Sequence, residues 1–301
     1  MEGEAAHEPV LREKVVELLR PQRCSVILDC TVGLGGHAEA LLTAAADDTR
    51  FVGIDLDEEN LRRARDRLSR FSHRVRLFRA SFDQVGTVLA ETDEEQVDAL
   101  LADLGVCSAQ IDDPARGFSY TADGPLDMRM DRCGGETAAD LVNRLDEKSL
   151  ADLIYTCGEE RYSRRIARAI VAARRKERIE RTLQLAGIVA GSLPKPVAAG
   201  RRGIHPAART FQALRIAVND ELGALDRLLE QLPDVLSVGG RAAVISFHSL
   251  EDRRVKRSFA ESAESGRARL LTKKPLSPDA EEVEKNPRCR SAKLRGIERI
   301  A

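Results

Sequence analysis

"VILDCTVGLGGHAEALL" (residues 26–42) is an apolar run that breaks into a glycine-rich turn and resumes with helical spacing. Gly33, Gly35 and Ala38 spell G-x-G-x-x-A directly after a strand and at the opening of a helix. Glycines there allow a tight turn and a close approach of backbone to a ligand, which the helix N-terminal amides then face. Asp55 ends the next strand, 22 residues beyond Gly33, where a carboxylate can accept both hydroxyl protons of a ribose. A turn serving only its own backbone does not account for that acid, so a nucleoside-bearing ligand is expected.

Outward from this turn the chain alternates. Strands are expected at 25–30, 50–55, 74–79 and 97–103, with helices at 36–46, 57–69 and near 83–91, after an opening helix at 9–20 with Pro9 in its first turn. Short apolar strands alternating with helical periods give a parallel sheet covered on both faces. The beat then fails. Residues 105–135 carry Gly, Pro and Asp at turn spacing, 137–194 read as helical, and "LPKPVAAGRRGIHP" (193–206) separates them from a long helix at about 207–232. Strand 241–247, helix 249–260 and two closing strands near 268–273 and 291–300 restore the sheet. The expected fold is α/β, a doubly wound, mostly parallel sheet built from residues 1–110 and 211–301, with an all-helical insertion at 111–210.

The formal net charge of −1 hides a strong asymmetry. Between Arg161 and Arg215 there are 14 Lys/Arg against Glu177 and Glu180, and from Arg253 onward 14 Lys/Arg against seven acids. Two basic regions of this kind are an electrostatic footprint for nucleic acid. Six cysteines without a CxxC pair argue against a metal or disulfide framework. No apolar stretch reaches 18 residues and no signal peptide is evident, so no membrane partner and a cytoplasmic location are expected.

The glycine turn alone does not separate a dinucleotide from S-adenosylmethionine, because both offer an adenosine ribose to Asp55. Asp103-Leu104-Gly105 at the end of the fourth strand tilts the choice. Ligands sit at that carboxyl edge; a carboxylate there pairs with the ammonium of a methionine moiety and repels a pyrophosphate. The closing strand, helix and two strands suit the methyltransferase variant of the doubly wound sheet.

"HEPVL" (7–11), "TVGLGGH" (31–37), "DLGVCSAQIDDPARGFSY" (103–120), "DGPLDMRMD" (123–131), "GEERYSRRIARAI" (158–170), "HPAARTFQALRIAVNDEL" (205–222), "GGRAAVISFHSLEDRRVK" (239–256) and "NPRCRSAKLRGIER" (286–299) follow in order over essentially the full length. In these stretches the sequence resembles the RsmH (MraW) family of small-subunit ribosomal RNA cytosine-N4 methyltransferases. The resemblance implies a class I methyltransferase-type fold and S-adenosyl-L-methionine as cofactor, held by Gly35, Gly36, His37, Asp55, Phe82, Asp103 and Gln110. Gly35 and Gly36 leave room for the methionine portion, Phe82 lies against the adenine, and Asp103 takes the ammonium. The implied reaction is methyl transfer to N4 of a cytidine in the decoding region of small-subunit (16S) ribosomal RNA, with the free RNA or the 30S subunit as partner and a monomer or homodimer as the working form.

Many amino-methyltransferases accept the amine proton at an Asp/Asn-Pro-Pro-aromatic tetrad, but this chain has Asp103-Leu-Gly-Val. The catalytic candidates are therefore Asp103 and the strand-end His248, which could shuttle a proton near neutral pH. Beside His248, Ser249 and Asp252 read as a capping box opening the next helix. The loop 112–131 offers Arg116, Phe118, Tyr120, Arg129 and two methionines, some as an RNA-contacting lid and others, among Phe118, Met128 and Met130, as packing of the insertion onto the sheet. Arg161, Arg164, Arg165, Arg168 and Arg175 fall on one helix face opposite Ile166, Ala169, Ile170 and Ala173, which suits a helix that docks on one side and meets RNA phosphate on the other. The rival readings are a ribosome assembly factor that binds the cofactor without transferring it, a DNA amino-methyltransferase and a nucleotide-dependent oxidoreductase.

Overall fold

Val26–Asp29 form the central strand β1, and all four residues are buried. A computed structural model describes residues 9–194 and 205–301 of the chain. β1 pairs in parallel with β2 (Arg50–Asp55) on one side and β4 (Val97–Asp103) on the other. β3 (Val75–Arg79) extends the sheet beyond β2, and β5 (Leu236–Ser246) extends it beyond β4. β7 (Lys293–Arg299) runs antiparallel to β5 and carries the short β6 (Ala268–Leu270), giving the order β3-β2-β1-β4-β5-β7-β6.

The strands alternate between two cores. Val26, Leu28, Leu100, Ala102, Ala242 and Val244 pack on one face with the helices Val85–Ala90, Glu221–Val235 and Ser249–Glu264. Ile27, Ala99, Leu101, Ala243 and Ile245 pack on the other with Arg12–Leu19, Gly36–Ala44 and Glu58–Arg67. A strand buried on both sides has no polar face, which is why these segments read as unbroken apolar runs.

The chain divides into two compact units, one of residues up to Gly105 and from Leu222 onward, the other Val106–Glu221. The sequence placed the division at 110/111 and 210/211. Val106 packs with the second unit's core, and so do Phe211 and Leu214 of helix Ala208–Asn219. That core also takes residues from Ala138–Arg144, Glu147–Gly158, Ser163–Arg174 and Thr182–Ser192. The single helix expected at 207–232 is two helices, because Asp220 takes a left-handed φ of 48° between them. Most of the Gly/Pro/Arg-rich stretch at 193–206 lies outside the described residues.

Gly158 makes a close crossing possible in the second unit. A Cβ on it would lie 2.6 Å from the carbonyl oxygen of Arg209, and neither helix backbone can give way without repacking. Gly158→Ala is therefore expected to cost about 1–3 kcal/mol, read as a lowered midpoint in urea with the sheet unit's glycine turn unchanged.

Candidate active site

The carboxyl ends of the three central parallel strands each carry an aspartate: Asp29 on β1, Asp55 on β2 and Asp103 on β4. Register brings them together, since Asp29 lies opposite Gly53 and Leu101, two residues short of the other two acids. The turn after β1 is tied to both neighbours. Gly33 N–H donates to Asp55 Oδ2 at 2.9 Å, Val32 N–H to the Ile54 carbonyl at 2.9 Å, and Asp103 N–H to Thr31 Oγ1 at 2.7 Å. Gly33 (φ 51°) and Gly35 (φ 79°) take the left-handed backbone that turns the chain into helix Gly36–Ala44.

A Cβ on Gly35 would meet Ala64 Cα at 3.4 Å, and one on Gly36 would meet the Pro9 ring at 3.4 Å, both ordinary contact distances, so the backbone conformation rather than crowding calls for glycine at Gly35. Phe82 is half-buried against the core that includes Ile54 and Val85, next to a Ser81/Gln84 capping box. Gln110 belongs to the helical unit, where its Oε1 accepts from Cys107 N–H at 3.0 Å.

Charge is concentrated in this turn. Asp55 also accepts from Asp57 N–H at 2.8 Å, yet burial pushes its carboxyl up to about 6. Burial pushes Asp29 further, to about 7, with Asp103 and Asp55 adding to the rise and His37 opposing it. His37 is nearly buried, with Nε2 3.6 Å from Asp103 Oδ2. Asp29 and Thr31 were not singled out in the sequence reading. The available signal was an acid ending a buried strand immediately before a glycine turn.

His248 takes a structural place. It is the N-cap of helix Ser249–Glu264: its Nδ1 accepts from Glu251 N–H at 3.3 Å, and Glu251 Oε2 accepts in return from His248 N–H at 3.3 Å. Its Nε2 lies 3.2 Å from Glu251 Oε1. The cap thus uses Nδ1, while Nε2 is buried without a hydrogen-bond partner among the described residues. The capping box is shifted by one residue from the expected Ser249/Asp252 pair. Asp252 instead binds Arg295 at 2.7 Å and Lys293 at 3.0 Å on β7, which holds its carboxyl below the usual range despite partial burial.

In the helical unit, the loop residues expected to pack do so, and two loop arginines are tied down as well. Arg116 is buried and donates to the carbonyls of Arg129 and Met130, while Arg129 forms a fork with Asp127 at 2.7 and 3.0 Å. Phe118 and Met128 are core residues. Tyr120 stacks on His205 at 4.7 Å and meets Phe211 edge-on. Helix Ser163–Arg174 buries Ile166, Ala167 and Ile170. Arg161, Arg164, Arg165, Arg168 and Arg175 are all exposed, with Arg168 3.5 Å from Glu147.

A mostly parallel sheet of this order with β7 reversed, carrying a glycine turn and acids at its carboxyl edge, is a class I methyltransferase-type α/β fold. The chain belongs to the MraW methylase family, whose model matches residues 4–300. A protein of Syntrophobacter fumaroxidans named ribosomal RNA small subunit methyltransferase H is 51% identical over 308 residues, 97% of this chain and 96% of its own length. The protein of that name from Solidesulfovibrio magneticus is 48% identical over 316 residues, covering 100% of this chain and 97% of its own. No helix among the described residues is long and apolar enough to cross a membrane.

Two substitutions test these placements. His248→Ala is expected to lower stability by about 1 kcal/mol, and His248→Asn, which keeps a capping oxygen, to restore most of it; thermal melts at matched pH decide this. Asp29 has a folded value of about 7 against an ordinary 3.8, so its contribution to stability is fully present below pH 4 and lost as pH rises through 7. Asp29→Asn should therefore match the wild type near pH 4 and exceed it by about 2–4 kcal/mol at pH 8 in the ligand-free protein. Equal stability of the two proteins at pH 8 would contradict the burial of a charged carboxylate.

Proposed function

We propose that this protein transfers the methyl group of S-adenosyl-L-methionine to N4 of one cytidine in the decoding region of small-subunit ribosomal RNA. The observation that carries the cofactor reading is the set of three acids at the ends of adjacent parallel strands around one glycine turn. A pyrophosphate would be repelled there, and a ligand with a cationic end is attracted. Asp29 Oδ2, Asp103 Oδ1 and both ring nitrogens of His37 are buried without a hydrogen-bond partner among the described residues, so the site has acceptors to offer such a ligand. The RNA target rests on the names and full-length likeness of the relatives.

When bound, the cofactor supplies an electrophilic methyl on a sulfonium. Asp55 is held by Gly33 N–H and Asp57 N–H and, more loosely at 3.4 Å, by the Asn60 side-chain amide, and it would take the ribose hydroxyls. Phe82 would hold the adenine face, and His37 and Asp103 would hold the methionine end. The N4 amine is a weak nucleophile because its lone pair is delocalised into the ring. Asp103 has a partly exposed side chain and a backbone anchored by Thr31, and it would accept the amine hydrogen bond that localises that lone pair. His248 acts as a positioning residue that sets the turn after β5. The helical unit brings arginines to phosphate along helix Ser163–Arg174, whose exposed side is cationic and whose buried side is apolar. A cytoplasmic protein acting on ribosomal RNA, or on the 30S subunit, is the consistent setting.

The test is transfer of labelled methyl to small subunits that lack their own modification, followed by mapping of the labelled nucleoside. N4-methylcytidine at a single decoding-region position is expected. Asp103→Ala should reduce kcat by at least tenfold, whereas Arg164→Gln/Arg168→Gln should raise KM for RNA and flatten its salt dependence with little change in cofactor affinity. Cofactor binding without any transfer would favour the assembly-factor reading.

A further inference from the structure

Three carboxylates and one imidazole crowd the glycine turn, and their partners do not balance. Asp29 is 1% exposed, with Oδ1 accepting from Thr31 N–H at 3.1 Å and Oδ2 unbonded among the described residues. His37, 7% exposed on the first turn of its helix, makes no hydrogen bond through either ring nitrogen among the described residues and approaches only Asp103 Oδ2, at 3.6 Å. Asp103 Oδ1 is likewise buried and unbonded. Asp55 is the exception, satisfied by backbone N–H groups of Gly33 and Asp57. The groups acting on Asp29 are His37, Asp103, Asp55 and the Thr31 amide, so a single imidazole is set against three acids.

Burying uncompensated anions in one small volume is costly, and the cheapest relief is a bound proton. We propose that Asp29, set among His37, Asp103 and the glycine turn, holds a proton that leaves for solvent when the cationic end of the methyl donor enters. The inference rests on the S-adenosylmethionine reading above and goes beyond it, because it makes charge the basis on which donor and spent product are told apart. The donor carries a sulfonium and so one positive charge more than its thioether product, S-adenosylhomocysteine. Donor binding exchanges one proton for one cation, leaving the charge of the cluster's surroundings unchanged. Product binding brings less positive charge and leaves more of the proton in place. The burial that pushes Asp29 up to about 7 puts this exchange in the range where the protein is half-loaded with the proton near neutrality. By linkage, each proton released makes affinity rise with pH by up to tenfold per unit. The ratio of donor to product affinity therefore grows between pH 6 and 8, and product inhibition weakens over the same range.

The experiment is calorimetric titration of the full-length protein with S-adenosylmethionine and with S-adenosylhomocysteine at several pH values from 6 to 8, each in two buffers of different protonation enthalpy. The wild type should release up to one proton on binding the donor and measurably less on binding the product, and the affinity ratio should rise severalfold over the range. Asp29→Asn, which keeps an oxygen for the Thr31 amide, should remove the buffer dependence of the donor heat. The wild-type comparison needs no variant to fold, and the Asp29 carboxyl carbon can be followed directly by NMR with and without the donor. Donor binding with no proton release, or with release unchanged in Asp29→Asn, overturns the inference alone. Failure of the donor to bind at any pH overturns the cofactor reading and the inference together.

Discussion

The parallel register of β1 between β2 and β4 is the constraint on which the site depends. It places Asp29 two residues short of Asp55 and Asp103 on the flanking strands, so three acids meet at one edge of the sheet. The turn that follows β1 is then fastened on both sides, by Gly33 N–H to the Asp55 carboxylate and by Thr31 Oγ1 to Asp103 N–H. A shift of one residue in this register would exchange the faces of the buried strands, and both cores would lose their packing together. The chemistry of the turn and the stability of the sheet are set by the same alignment.

Holding carboxylates there opposes folding. Asp29 and Asp55 are both raised by burial, and only Asp55 is well supplied with backbone donors. Such strain persists where surrounding structure over-determines it, and functional sites are where it collects. The apolar cores above and below the sheet compensate for the cost of keeping it.

The second unit separates its arginines by role. Arg116 and Arg129 lie in the loop whose sequence suggested an RNA lid, yet both are tied up by carbonyls and Asp127. Arg161, Arg164, Arg165, Arg168 and Arg175, in helix Ser163–Arg174 and its flanks, stay exposed because the opposite side, with Ile166, Ala167 and Ile170, is the one the core accepts. Residue type was equally suggestive in both places; burial distinguished them.

Much of this was legible in the chain before folding. Apolar runs buried on both faces, helical periods, the G-x-G-x-x-A turn and the acid 22 residues beyond Gly33 are local patterns, and the strand–helix order follows from them. The arginine face of helix Ser163–Arg174 is likewise a matter of spacing alone. Other features depend on what lies across space. Asp220's left-handed turn splits an otherwise continuous helical pattern, and the unit boundary follows the core to which Phe211 and Leu214 belong. His248 reads as a strand-end acid–base group, and the fold adds an N-cap role through its reciprocal bonds with Glu251. Asp29 looks like the last residue of a strand until neighbouring strands bring two more acids beside it. Local pattern dictates which elements form, because it reflects periodicity and backbone preference. Which polar groups are buried, paired or left with open valence is decided by tertiary contact, because desolvation and charge depend on neighbours distant in sequence.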